Sequence, residues 1–149
     1  MTSFLLDVNA LIALAWPTHR AHERVQTWFS RHGSQGWATC PFTECGFVRI
    51  VSNPAFSPDF LTVLEAVRLL TLNVNHPTHS FWADDLPAQE AVRHFQGRLA
   101  GHNQVTDAYL LGLAMHKKGR LATLDESLVR LLDPKGGERD RVVVIAKNP

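Results

Sequence analysis

The sequence predicts an α/β fold, a three-layer α/β/α sandwich with a mostly parallel central sheet. Short apolar runs without polar alternation predict strands that are buried on both faces. Longer segments with apolar residues at helical spacing separate these runs. An alternation of strands and helices favours parallel strands with helices on both sides of the sheet. The length of 149 residues suits a single domain, which we take as residues 1–149.

The predicted elements begin and end at apolar runs, prolines and glycines. Strands are expected at residues 4–6, 37–39, 121–123 and 142–145, with a further short strand at residues 72–74. Helices are expected at residues 8–15, 19–30, 41–53, 57–70, 87–99 and 105–118, with a helical turn at residues 127–132. Pro17 ends the first helix, Pro41 suits the first turn of the third, and Gly119 ends the sixth. Residues 75–85 show no regular pattern.

Composition and charge narrow the class of protein without indicating a function. Hydrophobic residues make up 45% of the chain and charged residues 19%, which is typical of a folded protein. The formal net charge is +1, so any case for nucleic-acid binding needs a specific site. The sequence shows no basic leader and no long apolar run, so we expect a soluble cytoplasmic protein without membrane contact.

The two cysteines, Cys40 and Cys45, are too few for a disulfide scaffold. Both lie in or beside the helix that is predicted from residue 41, where an offset of five residues points their side chains apart. We therefore expect two buried thiols in a protein of a reducing compartment.

Four acidic residues occupy equivalent positions in four separate segments. Asp7 ends the first strand, and Asp125 lies one residue beyond the strand at residues 121–123. Glu44 and Asp107 fall in the first turns of two predicted helices. In a parallel sheet, strand C-termini and the helix N-termini that follow them share one edge, where ligands bind. We therefore expect the four carboxylates to converge at that edge.

Four converging carboxylates predict a divalent cation. Ionised carboxylates repel one another, and a cation removes that repulsion. Oxygen ligands favour a hard ion, Mg²⁺ or Mn²⁺, which can activate a water and stabilise the leaving oxygen of a phosphodiester. Small polar residues beside the acids are candidates for holding the carboxylates or metal-bound waters: Asn9, Thr43, Thr106, Thr123 and Ser127.

Each acidic residue also has a purely structural explanation. Asp7 suits the N-cap of the helix that follows it, and Asp125 suits a turn. Glu44 and Asp107 suit the positive ends of their helix dipoles. Taken singly, each position leaves both explanations open, whereas the coincidence of all four at one edge favours a site.

Four segments of the chain carry a family resemblance. They are FLLDVNALI at residues 4–12, TE at 43–44, TDAYLLGLA at 106–114 and LATLD at 121–125. In this order they resemble the PIN-domain family and, within it, the VapC-type toxins of bacterial toxin–antitoxin pairs. Any one segment is weak, but the ordered set spans most of the chain. Val8 departs from the pattern, since it replaces the small hydroxyl residue that is frequent after the first Asp.

The resemblance implies an Mg²⁺- or Mn²⁺-dependent endoribonuclease that acts as the toxin of a VapBC-type pair. The family's acidic positions match Asp7, Glu44, Asp107 and Asp125, and its polar positions match Asn9 and Thr123. Under this hypothesis Asp7 and Asp107 bind the principal metal. Glu44 and Asp125 then complete the site directly or through water. The resemblance further implies an RNA substrate, a cognate antitoxin protein as inhibitor, and a homodimer.

Three other functions compete with this hypothesis. A phosphatase of the haloacid dehalogenase type needs a second Asp two residues after the first, where this chain has Asn9. A module that binds RNA or protein without cleavage stays open. So does a metal-dependent DNA nuclease, because phosphodiester chemistry does not itself choose RNA.

The basic residues and histidines give weaker signals. Candidates for contacts with an RNA backbone are Arg20, Arg24, Lys117, Lys118 and Arg120, all of which also suit a solvated surface. Arg49 is five residues beyond Glu44 and is expected to point away from it. Surface or capping roles are expected for His19, His22, His76 and His79.

Overall fold

Residues 3–146 are described in the computed structural model, and their strands form one five-stranded sheet. Residues 1–2, where we expect no basic leader, and residues 147–149 lie outside this range. The strands are β1 (Phe4–Leu6), β2 (Trp37–Thr39), β3 (His79–Phe81), β4 (Arg120–Thr123) and β5 (Val142–Val144). Their order in the sheet is β3-β2-β1-β4-β5, and each neighbouring pair is parallel, as the sequence predicts.

The α-helices of the described range follow from local signals. They are α1 (Val8–Ala15), α2 (His22–His32), α3 (Pro41–Val51), α4 (Val63–Val74), α5 (Ala88–Arg93) and α6 (Val105–His116). α3 begins at Pro41, where a missing N–H costs nothing. α4 follows Thr62, whose hydroxyl oxygen accepts a hydrogen bond of 3.1 Å from Glu65 N–H. Within residues 3–146 no helix combines the length and the apolar character that a membrane span requires.

Helices cover both faces of the sheet, because successive side chains of a strand point to opposite faces. Leu5 and Leu121 pack against α5 and α6 on one face. Phe4, Leu6 and Ala122 pack against α1 to α4 on the other face. The predicted three-layer α/β/α sandwich is therefore confirmed.

A crevice lies at the C-terminal ends of the neighbouring strands β1 and β4, because the connections that follow these strands go to opposite faces of the sheet. The chain leaving β1 enters α1, whose Ala10 and Leu11 pack on the face of α1 to α4. The chain leaving β4 enters a 3₁₀ segment, Glu126–Leu131, whose Leu128 and Leu131 pack on the opposite face. Such a divergence at the C-terminal ends of parallel strands forms the usual ligand site of open α/β sheets.

The prediction for the segment between α3 and α5 is wrong in two places. Residues 72–74 belong to α4 rather than to a strand, and α4 begins at Val63 rather than at residue 57. The apolar-polar-apolar order of residues 72–74 resembles a strand, but the helical spacing before it continues through it. Residues 75–85, expected to be irregular, contain β3. β3 is a largely exposed edge strand, so it carries no apolar run to reveal it.

Two other helix boundaries differ from the prediction. α2 begins at His22 rather than at residue 19, because the ring of His19 accepts a hydrogen bond of 3.0 Å from Ala21 N–H and stabilises a turn. α5 covers only the first half of the helix that was expected at residues 87–99, and a 3₁₀ turn, Gln96–Arg98, follows it.

Gly112 sets the close approach of α6 to α5. A Cβ at this position would lie 2.8 Å from the carbonyl oxygen of Ala91 and 3.0 Å from its Cα, so a side chain must push α5 away. We expect Gly112→Val to lower the free energy of unfolding by about 1–3 kcal/mol, the usual cost of overpacking, measured by urea denaturation. Gly97→Val is the matched control, since a Cβ there meets no atom within 4 Å. Equal losses at both positions would contradict the close contact of α5 and α6.

Candidate active site at the ends of β1 and β4

Asp7 leaves the end of β1 and caps α1, and it is only 7% exposed. Its Oδ1 accepts a hydrogen bond of 2.8 Å from Val8 N–H, which satisfies a free donor at the start of the helix. Its Oδ2 accepts a hydrogen bond of 2.8 Å from the Thr123 hydroxyl, which ties the end of β1 to the end of β4. Asp7 therefore serves as an N-cap and also places a carboxylate at the crevice.

A polar network fixes the two strand ends around this carboxylate. The hydroxyl oxygen of Thr123 accepts hydrogen bonds of 3.0 Å from Asp125 N–H and 3.4 Å from the Asn9 amide. The Asn9 carbonyl oxygen accepts a hydrogen bond of 3.1 Å from Leu124 N–H. Thr123 thus holds Asp7 directly, and Asn9 acts on it through Thr123.

Two further aspartates reach the same crevice from other elements. Asp107 lies in the first turn of α6, where it is partly buried. Asp125 begins the 3₁₀ segment after β4, and its Oδ1 accepts hydrogen bonds of 2.9 Å from Ser127 N–H and 2.7 Å from the Ser127 hydroxyl. Ser127 therefore orients a carboxylate, as one of the polar candidates in the sequence was expected to do.

Electrostatic repulsion links the three aspartates. Burial raises the pKa of Asp107 to about 6, and the charges of Asp7 and Asp125 add to this rise. Burial also raises the pKa of Asp7, while hydrogen bonds from Thr123 and Val8 lower it and the charge of Asp125 raises it further. In the described part of the chain, none of the three aspartates forms an ion pair with Lys, Arg or His. The crevice therefore gathers negative charge that no cationic side chain of residues 3–146 neutralises.

The donor chemistry of the crevice fits a hard divalent cation. Carboxylate oxygens are the ligands that Mg²⁺ and Mn²⁺ prefer. Across residues 3–146, no three His, Cys, Asp or Glu side chains are arranged to hold a metal ion between them. Mg²⁺ does not need such a cage, because proteins commonly bind it through one or two carboxylates and several waters.

Glu44 is held at the end of β2, the neighbour of the strand that leads to Asp7. It falls in the first turn of α3, as expected, and its Oε2 accepts a short hydrogen bond of 2.6 Å from the Thr39 hydroxyl. The charges that raise the pKa of Asp107 are those of Asp7 and Asp125, and Glu44 is not among them. The structure thus gathers three of the four predicted acids and anchors the fourth at the end of β2.

Thr39 and His79 are polar residues of this region that the sequence analysis missed. The single hydroxyl hydrogen of Thr39 goes to Glu44, so the Thr39 oxygen accepts the hydrogen bond of 2.7 Å from His79 Nε2–H. The imidazole packs on Trp37 with ring centroids 4.7 Å apart, and burial lowers its pKa. His79 therefore has a different role from the surface or capping role expected for it. One signal in the sequence could have indicated a role for Thr39, because Thr39 ends β2 in the same way that Thr123 ends β4.

Several minor expectations need correction. Thr43 is buried, and its hydroxyl hydrogen-bonds the backbone of Cys40 instead of a carboxylate. Cys40 is buried as expected, but Cys45 is exposed because it lies on the outer face of α3. Two of the basic candidates, Lys117 and Arg120, form ion pairs with exposed aspartates outside the crevice.

The parallel α/β/α sandwich and the acidic crevice at its switch point fit the PIN type that the sequence motifs resemble. No model of a protein family matches the chain. Several individual proteins do match the chain. It is 43% identical over 127 residues to ribonuclease VapC38 of Mycobacterium tuberculosis (strain ATCC 25618 / H37Rv). The match covers 85% of the chain and 88% of that protein.

Two further ribonucleases of that strain match to a similar degree. VapC39 is 42% identical over 124 residues, covering 83% of the chain and 89% of that protein. VapC44 is 40% identical over 124 residues, covering 83% of the chain and 87% of that protein. The chain therefore belongs to the VapC ribonuclease family, which confirms the resemblance seen in its sequence motifs.

The first prediction for this site concerns the anchor of Glu44. Thr39→Val keeps the shape of the side chain but removes the hydroxyl, so Glu44 loses its orienting hydrogen bond. We expect the initial rate of RNA cleavage to fall about 10- to 100-fold, the usual effect of removing a residue that orients a carboxylate in or beside an active site. Thr39→Ser keeps the hydroxyl and should restore most of the rate at equal folded fraction. A Thr39→Val protein with the wild-type rate would show that Glu44 needs no anchor.

The second prediction concerns stability in the absence of metal. The pKa of Asp107 is raised from 3.8 to about 6 in the folded protein. The protonated side chain therefore favours the folded state, and this contribution to stability is lost as pH rises from about 4 to about 6. Asp107→Asn removes the charge. In EDTA at about pH 7 it should raise the melting temperature by about 2–4 °C, which corresponds to about 1 kcal/mol after allowance for solvent screening.

Differential scanning calorimetry across pH measures this effect. The difference between Asp107→Asn and the wild type should shrink toward zero near pH 4, where both side chains are neutral. A melting temperature that falls in the Asp107→Asn protein at neutral pH would contradict repulsion among the three aspartates.

Proposed function

We propose that this chain is an Mg²⁺- or Mn²⁺-dependent endoribonuclease that acts as the toxin of a VapBC-type toxin–antitoxin pair. The observation that carries the proposal is the convergence of Asp7, Asp107 and Asp125 at the switch point of the sheet without a neutralising cation among the described side chains. Membership of the VapC ribonuclease family supports RNA as the substrate.

The proposed roles follow from the contacts of each carboxylate. Asp7 and Asp107 would bind the cation, since they reach the crevice from different elements and the charge of Asp7 raises the pKa of Asp107. Asp125 binds it directly or through water while Ser127 holds one of its oxygens. When bound, the cation activates a water and stabilises the phosphodiester oxygen that leaves.

Glu44 has a more distant role in this proposal. Thr39 occupies its Oε2, so Oε1 is the oxygen that can orient a water at the rim of the crevice. The hydrogen bond from His79 fixes Thr39 in turn, so a residue of the edge strand β3 helps to set the position of a carboxylate at the end of β2. Asn9 and Thr123 keep Asp7 aimed at the crevice from the other side.

Partner proteins are part of the proposal. Exposed apolar side chains cluster on α4, where Val63, Leu64 and Val67 lie open to solvent. Apolar surface of this kind commonly marks a protein–protein contact. This exposed apolar surface supports the binding of a cognate antitoxin and the formation of a homodimer. A cytoplasmic location of the protein also stays a prediction.

The two alternatives make different chemical demands. A metal-dependent DNA nuclease would use the same carboxylates, so the site itself does not exclude it. A non-catalytic module would have no use for three mutually repelling aspartates, whose burial raises the pKa of two of them. The family therefore favours RNA over DNA, and the electrostatics favour an enzyme over a module.

The test is cleavage of total bacterial RNA by the purified protein with Mg²⁺ or Mn²⁺. We expect discrete fragments that disappear with EDTA and fall at least about 100-fold in the Asp7→Asn protein, since loss of a ligand should exceed loss of a residue that only orients one. Asp85→Asn is the matched control, because Asp85 is an exposed aspartate that pairs with Lys117 outside the crevice.

Each outcome separates one alternative from the proposal. Equal cleavage of single-stranded DNA of the same sequence would favour the DNA nuclease. RNA binding without cleavage at any Mn²⁺ concentration would favour the non-catalytic module. Cleavage that survives both EDTA and Asp7→Asn would show that the activity does not belong to this site.

A further inference from the structure

A groove of about 420 Å³ opens beside the carboxylates, between α3 and the starts of α1 and α6. We call it the Phe42 groove. Val8 and Thr106 line its inner end, and these residues directly precede or follow Asp7 and Asp107 in the chain. The groove therefore lies next to the proposed cleavage centre.

The wall of the groove is an exposed aromatic ring. Phe42 lies in the first turn of α3 and is 47% exposed, unlike most large aromatic residues of the core. The ring of Phe42 packs against the ring of Tyr109, with ring centroids 5.0 Å apart at an interplanar angle of 48°. The Tyr109 hydroxyl donates a hydrogen bond of 3.0 Å to the Leu86 carbonyl oxygen, so the support is itself fixed. A ring held from behind can stack a planar group without losing much side-chain freedom.

Two charged residues give the groove its polarity. Arg49 lies two helical turns after Phe42 on the same face of α3, with Cys45 between them. Within residues 3–146 Arg49 has no carboxylate partner, so its charge faces solvent and the groove. Asp84 also lines the groove and supplies a hydrogen-bond acceptor. Apart from Thr106 and Cys45, the remaining lining is apolar.

The ring of Phe42, the guanidinium of Arg49 and the carboxylate of Asp84 together suit the binding of a nucleotide. Base–aromatic stacking is the main way in which proteins hold unpaired bases, and guanidinium groups bind phosphate. A carboxylate can accept hydrogen bonds from the N–H groups of a base. A paired base inside a duplex is already stacked and cannot enter, so the chemistry selects single-stranded RNA.

We propose that the Phe42 groove binds one unstacked base of single-stranded RNA next to the phosphate that is cleaved. The base stacks on Phe42, Arg49 contacts an adjoining phosphate, and Asp84 accepts a hydrogen bond from the base edge. This inference rests on the proposed ribonuclease function and deepens it, because it gives the nuclease a residue that distinguishes unpaired from paired RNA.

The test compares wild type, Phe42→Ala and Phe42→Trp on a fluorescein-labelled RNA fragment taken from the sequence that the protein cleaves in total RNA. We expect Phe42→Ala to raise KM about 5- to 100-fold, the range for loss of one stacked base, with kcat little changed. Phe42→Trp keeps a stacking surface and should stay near the wild-type KM. Phe60→Ala is the matched control, since Phe60 is similarly exposed but does not line the groove.

Fragments with a single abasic nucleotide at successive positions locate the base. At one position, removal of the base should raise the KM of the wild-type protein by the same factor as the Phe42→Ala substitution does. The same abasic fragment should not raise the KM of the Phe42→Ala protein any further. The inference is overturned if Phe42→Ala keeps the wild-type KM, or if every abasic fragment affects both proteins equally. A wild-type protein that neither binds nor cleaves RNA would instead overturn the proposed function, so the two failures are distinguishable.

Discussion

The carboxylate of Asp7 is buried where two neighbouring strands end, and hydrogen bonds from both strand ends hold it there. Burial penalises its charge, and hydrogen bonds from Val8 and Thr123 offset part of the penalty. Each hydrogen bond to a charged group contributes on the order of 1.5–3 kcal/mol. The Val8 donor is local, because it follows Asp7 directly in the chain. The Thr123 donor acts only while β1 and β4 keep their register, with Leu6 opposite Ala122.

The topology of the sheet explains why acids from distant segments meet. β1 and β4 are neighbours although more than a hundred residues separate Asp7 from Thr123, and their following connections leave toward opposite faces. Asp107 enters from the start of α6 and completes a cluster whose members repel one another. Two well-packed apolar layers allow the fold to tolerate this repulsion, and a divalent cation would remove it. Local strain of this kind is typical of functional sites.

The sequence was informative where residues are buried and local signals agree. The strands β1, β2, β4 and β5 and the helices α1, α3 and α6 follow from apolar runs and caps. Asp7, Glu44, Asp107 and Asp125 could be placed at one edge because the sheet was predicted to be mostly parallel. The catalytic role of these residues stays a proposal, since their placement shows proximity rather than chemistry.

The rest depended on contacts that no local pattern encodes. β3 is an exposed edge strand, so its His79 looked like a surface histidine, and the hydrogen bond to Thr39 could not be foreseen. Cys45 was expected inside because cysteines are usually buried, but its position on α3 faces solvent. The Phe42 groove arises from three elements that are far apart in sequence, so only the folded chain places Phe42 and Arg49 beside the acids.

The central claim is that Asp7 and Asp107, with Asp125 beside them, bind one divalent cation that offsets their negative charge. Isothermal titration of Mn²⁺ into the metal-free protein tests it most directly, in buffers of different ionisation enthalpy. At pH 6, near the pKa of Asp107, the account predicts saturable binding with release of protons, and release that falls toward zero at about pH 8. Asp107→Asn should bind more weakly and release fewer protons. Absence of saturable binding, or identical binding and proton release in Asp107→Asn, would contradict the account.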